Sequence, residues 1–489
     1  MRSDRRRQER EEQKTRGNRG FRILSIIYLI LAVCFIASLL WLNVLPPEYL
    51  YPIIGVVVVI SLFIAPVMYS RNGRKKRKKT AAFFAVIFIL LFGAGTYYMT
   101  ETIGFFNAIS GIGGAREDFY LVVEANSQYE EASQLSGQTV GTYATTDSAY
   151  TEAKKQLQSE VDVEYGYIEN LPDLLPSLTG GEYPAIFISA ATYDTMKEGN
   201  AQIEEQTRII HTVSVKIKSS RLTKKVDVTE DTFNILVSGI DTTGDISTVS
   251  RSDVNMVVTV NPKTKQVLMT SIPRDYYIDL PGKGAKDKLT HSGLYGIDET
   301  IGAVEAMLGI DINYYVKVNY STVTTLVDAM GGIDIYSPYT FTTHGMAAHY
   351  TFYEGNNHLD GSMALAYSRE RKSFADGDMR RNENQQIVLE GIMTKAMSSS
   401  TILSNYTSML NAIEDYLETD MSSRDMTSLI RMQLGDMASW DIQKQALKGE
   451  PSMQLCYALG TYASVVMPDT AMIAEAADTI MQISGDTGE

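Results

Sequence analysis

Three long stretches of the chain, at about 23–45, 51–70 and 80–100, carry no charged residue and consist mostly of Leu, Ile, Val, Phe and Ala. At ~1.5 Å per residue, helices of this length cross the ~30 Å hydrocarbon core of a bilayer. A cleaved signal peptide is the competing interpretation of the first stretch, but no small-residue cleavage site ends it and two further stretches follow. The sequence therefore predicts three transmembrane helices.

Charged residues are distributed unevenly around these stretches. Residues 1–80 contain 16 Lys and Arg against 5 Asp and Glu, whereas residues 101–489 contain 28 against 53. Positively charged loops stay in the cytoplasm, so the basic N-terminus (1–22) and the basic loop 71–79 are predicted to face inward. Everything after the third stretch is then extracellular and has a net charge of −25. Such an acidic region is a poor candidate for nucleic-acid binding, and no nucleic-acid partner is expected.

The extracellular part is large enough for two domains. It has about 390 residues, and single cores stop growing at roughly 250–300 residues. Its one cysteine, Cys456, has no extracellular partner because Cys34 lies in the first stretch, so no intrachain disulfide is expected. We place three parts there: an accessory α/β domain (101–228), a second α/β domain (229–400) and a mainly helical C-terminal extension (401–489).

The accessory domain alternates apolar runs with helical patterns. Asp147 is a plausible N-cap for a helix that passes through Ala153 and Leu157. This alternation favours a small α/β fold, and no catalytic constellation is present. Four apolar runs predict short strands, at Phe119–Val123, Thr139–Tyr143, Val161–Ile168 and Ala185–Ile188.

The second domain is predicted to be a mixed sheet flanked by helices. The turn-rich link 261–265 makes an antiparallel hairpin of the two strands beside it. A helix near 321–330 would begin at Ser321 and end at Gly331-Gly332. The other predicted elements are a helix near 298–308 and strands at 233–240, 254–260, 266–272, 312–320 and 333–337.

Charged side chains stand at the ends of the first three strands of this domain. Asp241 ends the first strand, Asp253 starts the second and Arg274 ends the third. If the strands are sequential antiparallel neighbours, the three side chains emerge at one end of the sheet. The loop that joins the first two strands also carries Asp245 and Arg251.

A second group of charges lies at 369–381. Arg369 and Arg371 would share one face of an extended segment, and Arg381 shares a helix face with Gln385. The guanidinium fork binds phosphate oxygens in pairs and keeps its proton. Carboxylates beside several arginines suggest a hard cation such as Mg²⁺ (or Mn²⁺) that bridges to phosphates.

Structural alternatives remain for each of these residues. A charged run is usually a solvated face, an Asp at a strand end is usually a turn former, and Arg274 can equally form a structural ion pair. The histidines lack the spacing of a zinc site. No P-loop or complete calcium loop is present either, so the residues alone leave the phosphate site and the structural interpretation open.

At these residues the sequence resembles the LytR-CpsA-Psr family of Gram-positive cell-envelope proteins, most closely its capsule-associated CpsA members. The resemblance covers roughly residues 231–400, and the three spans with a small outside domain also resemble the CpsA arrangement. The matching motifs are Gly239-Ile240-Asp241, Ser250-Arg251-Ser252-Asp253, Ser271-Ile272-Pro273-Arg274-Asp275, Lys288-Leu289-Thr290-His291, Gly331-Gly332-Ile333-Asp334, and Arg369-x-Arg371 with Asp378, Arg381 and Gln385.

The resemblance implies a phosphotransferase that moves a glycan, most simply a capsular polysaccharide, from an undecaprenyl-pyrophosphate carrier to peptidoglycan. It implies that Asp241 and Asp253 hold Mg²⁺, and that Asp378 orients the arginine cluster and is a candidate proton acceptor. Many relatives carry Arg where this chain has Asn384. The resemblance further implies that the pyrophosphate is bound by Arg251, Arg274, Arg369, Arg371, Arg381 and Gln385.

Two other functions compete with the transferase. One is a non-catalytic protein that binds the polyprenyl-pyrophosphate glycan and regulates other capsule assembly membrane proteins. The other is a regulator of envelope-related transcription, against which the outward acidic domain argues. Hydrolysis of the pyrophosphate is expected as a side reaction when no acceptor is bound.

Overall fold

The structure, a computed structural model, separates into two compact units. The first unit comprises 1–107 and 422–438, and the second comprises 108–421 and 439–489. The residues described are 2–70, 74–110, 116–143, 145, 148–200, 202–216, 224–240, 246, 249–344, 348–375, 377–397 and 416–485.

Three long helices form most of the first unit: α1 (Arg2–Leu42), α2 (Pro47–Tyr69) and α3 (Lys75–Ile109). Each contains a segment long and apolar enough to cross a membrane, which confirms the three predicted helices. The Tyr28 and Ser61 hydroxyls lie 3.0 Å apart, and Ser25 Oγ donates to Ala65 O at 3.1 Å, so polar contacts join α1 to α2. Buried side-chain hydrogen bonds of this kind are a common means of helix association in apolar surroundings.

The accessory sheet has the strand order β3-β2-β4-β1-β5. The four predicted strands are confirmed, while the proposed cap Asp147 lies outside the described residues. Phe119, Tyr150 and Phe187 pack in its core. Its strands are β1 (Arg116–Glu124), β2 (Thr139–Tyr143), β3 (Glu164–Ile168), β4 (Ile186–Ser189) and β5 (Thr207–Lys216). Its helices are α4 (Ser148–Glu160), α5 (Leu174–Thr179), α6 (Ala190–Gly199) and α7 (Gln202–Gln206), with 3₁₀ turns at Ala132–Leu135 and Leu171–Asp173.

A six-stranded mixed sheet forms the centre of the second α/β domain, in the order β16-β11-β6-β7-β8-β17. Strands β6, β7 and β8 are sequential antiparallel neighbours, as predicted, whereas β11 pairs with β6 and β17 with β8 in parallel. The six strands are β6 (Phe233–Ile240), β7 (Ser252–Asn261), β8 (Gln266–Ile272), β11 (Tyr314–Val318), β16 (Leu417–Thr419) and β17 (Asp441–Ala446).

Short two-stranded ribbons surround this sheet. They pair β9 (Tyr277–Leu280) with β10 (Ala285–Lys288), β12 (Ile333–Ser337) with β15 (Gly355–Leu359), β13 (Phe341–Thr342) with β14 (Thr351–Phe352), and β18 (Gly449–Cys456) with β19 (Thr461–Pro468). The helices that follow β8 are α8 (Leu289–Ser292), α9 (Ile297–Leu308), α10 (Tyr320–Ala329), α11 (Gly361–Arg369), α12 (Gly377–Ala396), α13 (Ser423–Asp436) and α14 (Thr470–Ser484), with a 3₁₀ turn at Gly293–Tyr295.

Helices cover both faces of the six-stranded sheet. On β17, Lys444 pairs with Glu390 of α12, while the next residue, Gln445, donates to Ala476 O of α14 at 3.3 Å. Because successive strand residues point to opposite faces, α12 and α14 lie on opposite sides. This arrangement confirms the predicted mixed sheet flanked by helices.

Local sequence signals explain the bounds of α10. Asn319, not the expected Ser321, is its N-cap, because the Asn319 side chain accepts a hydrogen bond from the Thr322 N–H at 3.0 Å. The helix stops before Gly331 and Gly332, whose positive φ angles of 74° and 88° favour glycine.

The C-terminal extension contains strands as well as helices in its described part. It supplies β16 and β17, the two edge strands of the six-stranded sheet, as well as the β18–β19 hairpin. The second α/β domain therefore does not end at residue 400. Helix α13 belongs to the first unit instead, where Ser423 Oγ donates to Asn107 Oδ1 at 3.2 Å.

Candidate active site at one end of the mixed sheet

The ends of three neighbouring strands meet at one edge of the sheet. The last residue of β6, Ile240, is paired with Ser252 at the start of β7, and Ile272 at the end of β8 is paired with Asn255. The predicted convergence of Asp253 and Arg274 is therefore present. Asp241 directly follows β6 but lies outside the described residues.

A β-bulge determines where Asp253 points. Gly239 is paired with Val254, but the next residue of β6, Ile240, is paired with Ser252, so Asp253 is the extra residue of β7. A bulge of this kind bends a strand and redirects a side chain at the sheet edge. The side chain of Asp253 consequently leaves the ladder and turns toward neighbouring loops.

Two side chains hold the Asp253 carboxylate. Arg274 Nη1 donates to Asp253 Oδ2 at 2.9 Å, and Thr290 Oγ1 donates to Asp253 Oδ1 at 2.8 Å. The side chains of Asp253 and Arg274 are only 11% and 23% exposed, so this charge-assisted pair is shielded from solvent. The Thr290 N–H also donates to Arg274 O at 2.8 Å, which fixes α8 against the end of β8.

A second ion pair lies beside the first. Lys288 Nζ is 3.2 Å from Asp275 Oδ1, and Arg274 Nε is 3.6 Å from Asp275 Oδ2. Two carboxylates and two cations thus alternate along this edge. Their formal charges cancel, so an added anion would meet no net repulsion from them.

Arg251 is placed next to this group by a close backbone approach. A Cβ at Gly293 would lie 2.5 Å from Ser250 O and 2.6 Å from Ser252 N, closer than real side chains approach. Only glycine fits at position 293. The backbone of Ser250 and Ser252 therefore packs against Gly293, and the half-buried Arg251 between them lies beside the 3₁₀ turn that follows α8.

Arg369 of the second group lies near the same edge, on the β11 side. Tyr320 begins α10, two residues after β11, whose Val318 is paired in parallel with Gly239 of β6. The Arg369 guanidinium lies 3.9 Å from the centre of the Tyr320 ring, a cation–π contact. The strand ends that lead to Tyr320 and Arg274 are three strand spacings apart, which is about 14 Å.

The expectation that Arg369 and Arg371 share an extended segment is wrong. Arg369 is the last residue of α11, and the chain turns after it. The Glu370 carboxylate stabilises this turn by accepting hydrogen bonds from backbone N–H groups of the turn. Burial of Glu370 disfavours its charged form, but hydrogen bonds from the His344 and Ser373 N–H groups outweigh this effect and lower the pKa of the carboxylate. Arg371 is exposed on this turn.

Helix α12 carries the remaining predicted residues. A Cβ at Gly377, its first residue, would lie 3.6 Å from Arg371 O, so the helix begins beside the Arg371 turn. Arg381 and Gln385 are both partly exposed one turn apart, as predicted. Asp378 lies in the first turn of α12, but its side chain is outside the described part of the structure.

Asn384 differs from its neighbours on α12 because it is almost completely buried, at 1% exposure. Among the described residues, its side-chain Nδ2 has no hydrogen-bond partner. A buried amide donor without a partner costs roughly 1–3 kcal/mol. The next buried amide, Gln386, donates instead to Met269 O and Gln445 O.

The site suits a hard cation in its donor chemistry. Asp253 offers a shielded carboxylate, each of whose oxygens accepts one hydrogen bond in the contacts above and has a further lone pair. Mg²⁺ usually takes one or two protein carboxylates, and Asp241 is adjacent in sequence to the paired end of β6. These two residues are the ones that would hold the ion.

A different set of potential metal ligands is buried behind α8: Asp287, His291 and Cys456. The Asp287 carboxylate accepts hydrogen bonds from the N–H groups of Lys288 and Ala458 and contacts His291 Nδ1, each at 2.7 Å. The Cys456 Sγ lies within 4.8 Å of a carboxylate oxygen of Asp287, and burial together with the Asp287 charge raises the thiol pKa to about 12. The Lys288 and Ala458 N–H groups and His291 Nδ1 take up three of the roughly four lone-pair sites of the carboxylate, so these residues form a hydrogen-bonded junction.

The comparison with known protein families identifies this domain. A model of the LytR_cpsA_psr family matches residues 187–476, more than half of the chain. The chain belongs to the LytR-CpsA-Psr family. The match extends beyond 231–400 on both sides and includes β17 and the β18–β19 hairpin, in agreement with their place in the fold.

Among the family's curated members, the chain is similar to two polyisoprenyl-teichoic acid–peptidoglycan teichoic acid transferases named TagU. The Enterococcus faecalis protein is 41% identical over 203 residues, which are 41% of this chain and 65% of that protein. The Bacillus cereus protein is 34% identical over 250 residues, 51% of this chain and 77% of that protein. The chain thus spans slightly less than two thirds of the first relative's length.

Solved structures are also similar to about half of the chain. The crystal structure of Bacillus subtilis TagU has 29% sequence identity and a TM-score of 0.41, and the match covers 52% of this chain and 97% of that one. Bacillus subtilis TagV has 29% identity and a TM-score of 0.44 over 52% of this chain and 98% of that one.

The sequence did not predict three residues that contact charged side chains of the site. Thr290 and Lys288 stood in a recognised motif, but nothing in the spacing indicated that they bind Asp253 and Asp275. Tyr320 was missed as the partner of Arg369. A polar motif directly after a short strand was the available signal for Thr290.

Proposed function

We propose that this chain is a membrane-anchored phosphotransferase that transfers a glycopolymer from an undecaprenyl-pyrophosphate carrier to peptidoglycan. The observation that carries the proposal is the Asp253–Arg274–Thr290 group at the sheet edge, with Arg369 held on Tyr320 just beyond the end of the neighbouring β11. The named TagU relatives, which transfer teichoic acid to peptidoglycan, support the reaction class. Residues 1–100 would anchor the domain, with the N-terminus in the cytoplasm and the α/β domains outside.

The reaction requires charge neutralisation more than covalent chemistry. A sugar hydroxyl of peptidoglycan attacks the glycan-linked phosphorus, a new P–O bond forms, and the bond to undecaprenyl phosphate breaks. Mg²⁺ (or Mn²⁺), when bound by Asp241 and Asp253, supplies positive charge to the phosphate oxygens. Asp378 is proposed to accept the hydroxyl proton.

Each arginine of the proposed pyrophosphate site is held in a different way. Arg274 is oriented by Asp253 and Asp275, so its remaining N–H groups are fixed in direction before a ligand arrives. Arg369 is oriented by the Tyr320 ring, and Arg371 is exposed beside the start of α12. Arg251, Arg381 and Gln385 complete the proposed pyrophosphate-binding set.

The first test compares variants of the full chain in proteoliposomes. Transfer from a polyprenyl-pyrophosphate glycan to peptidoglycan oligomers is measured with and without Mg²⁺. Asp253→Ala and Arg371→Ala are expected to remain folded and lose Mg²⁺-dependent transfer. The matched controls are Asp279→Ala, 72% exposed on β9, and Arg116→Ala at the exposed start of β1, which keep full activity. Undiminished transfer in both site variants would contradict the proposal.

The glycan is the finer part of the proposal. We propose capsular polysaccharide, because the three spans and the accessory domain resemble the CpsA arrangement. Mass spectrometry of the glycan–wall linkage in cells that carry Arg371 or Arg371→Ala identifies the polymer. If only a teichoic acid linkage is lost in Arg371→Ala, the transferred polymer is teichoic acid and not capsular polysaccharide. Donor binding without turnover would favour a regulatory protein that contacts other capsule assembly membrane proteins.

A further inference from the structure

A fully buried carboxylate lies behind the turn that holds Asp253. Asp287 is 0% exposed at the end of β10, and its Oδ1 accepts the Lys288 N–H and contacts His291 Nδ1, both in the β10–α8 segment. These two contacts fix the start and the end of α8 to one point. A turn of only four residues has little helical stability of its own, so it depends on such external contacts.

The other side of the same carboxylate faces the C-terminal hairpin. Asp287 Oδ2 accepts the Ala458 N–H at 2.7 Å, across 171 residues of sequence, and the Cys456 Sγ lies within 4.8 Å of a carboxylate oxygen. Cys456 is the last residue of β18 and Ala458 lies in the link to β19, and both are completely buried. Asp287 therefore joins this hairpin to α8.

Helix α8 transmits this connection to the strand ends. Its first two N–H groups, those of Leu289 and Thr290, donate to Tyr276 O and Arg274 O at 2.8 Å. The Thr290 hydroxyl then reaches Asp253 at 2.8 Å. Displacement of α8 by even 1 Å would break the hydroxyl contact, because a hydrogen bond at 2.8 Å is lost beyond about 3.5 Å.

We propose that Asp287 is a positioning residue for transfer: it uses the C-terminal hairpin to hold α8 so that Thr290 orients Asp253. The proposal rests on the proposed function of the Asp253 site. It assigns a role to residues 449–468, which the sequence alone left without one. In this proposal the hairpin acts on Asp253 through α8, beside its backbone contact from the Val466 N–H to Asp275 O at 2.8 Å.

Asp287→Asn is the most direct test, because the amide is nearly isosteric but has one acceptor oxygen. Its NH₂ group must face the N–H of either Lys288 or Ala458, and two donors cannot bond to each other. In full-chain proteoliposomes, we expect kcat per folded molecule to fall about tenfold, with KM for the polyprenyl-pyrophosphate donor changed less than about twofold. The matched control on the same hairpin is Met453→Ala, whose side chain is exposed and whose kcat stays at the wild-type value.

Hydrogen exchange provides a readout that does not depend on activity. In Asp287→Asn, the amides of Leu289 and Thr290 should exchange faster together with that of Ala458, while those of the β6–β7 ladder keep wild-type rates. Unchanged kcat and unchanged exchange at Thr290 would overturn the inference. If the wild-type chain transfers nothing, the proposed function fails, and the exchange measurement still decides whether Asp287 holds α8.

Discussion

Thr290→Val tests the most specific contact of the candidate site. Valine has nearly the shape of threonine, but it removes the hydroxyl that donates to Asp253 Oδ1 at 2.8 Å. A hydrogen bond to a charged group contributes roughly 1.5–3 kcal/mol, and Thr290 is buried, so water does not simply replace the lost donor. If this contact orients Asp253 in the transition state, each ~1.4 kcal/mol lost lowers the rate about tenfold, which predicts a decrease of about 10- to 150-fold.

The assay measures transfer at several Mg²⁺ concentrations and urea unfolding of the same preparations. Thr290→Ser keeps the hydroxyl and is the matched control, with a rate within a few-fold of wild type. Thr290→Val should also require more Mg²⁺ for half-maximal transfer, because Asp253 loses its orientation. A wild-type rate and Mg²⁺ requirement in Thr290→Val would refute the reasoning, and a loss of unfolding free energy without a loss of rate would assign Thr290 to folding alone.

Three further predictions concern groups around the site. Glu370→Gln should lower the free energy of unfolding by about 1–3 kcal/mol at pH 7. The folded state lowers the Glu370 pKa below 4.5, so the wild-type protein should lose this contribution as the pH falls below about 4.5. Glu370→Gln should not show this loss. Urea titrations of both proteins at pH 7 and pH 4 measure the difference. Tyr320→Ala removes the surface under Arg369 and should raise KM for the pyrophosphate donor about two- to fivefold, against an unchanged value for Tyr320→Phe. In a Cys34→Ser background, the Cys456 thiol should resist alkylation at pH 8–9 until the protein unfolds, and its raised pKa predicts that unfolding free energy falls as pH rises from about 9 toward 12.

Sequence patterns predicted the sheet centre well because its strands are continuous apolar runs between turn residues. The bounds of β6 and β8 agree with the predicted 233–240 and 266–272, and β7 (Ser252–Asn261) contains the predicted 254–260. By contrast, β17 has the sequence Asp-Ile-Gln-Lys-Gln-Ala, without the apolar alternation of a strand. Its position depends on parallel pairing with β8, which is about 170 residues away, and local patterns carry no information on such pairing.

The candidate site was predictable in its charges but not in its connections. Asp253 and Arg274 could be placed together because antiparallel neighbours bring alternate strand ends to one edge. The bulge that turns Asp253 out of the ladder has no sequence signature of its own. The links from Asp253 to Thr290 and from Asp287 to Ala458 span 37 and 171 residues, so they follow from tertiary packing.

The origin of the two outer strands also determines when this domain can be completed during synthesis. Both β16 and β17 come from beyond residue 416, whereas the strands they cover, β11 and β8, are made about 100 and 170 residues earlier. Until the last part of the chain emerges, two apolar strands expose unpaired N–H and C=O groups, which are templates for aggregation. A fragment that stops at residue 400 would keep both edges open permanently, and we expect it to precipitate even though it retains every residue of the proposed pyrophosphate site.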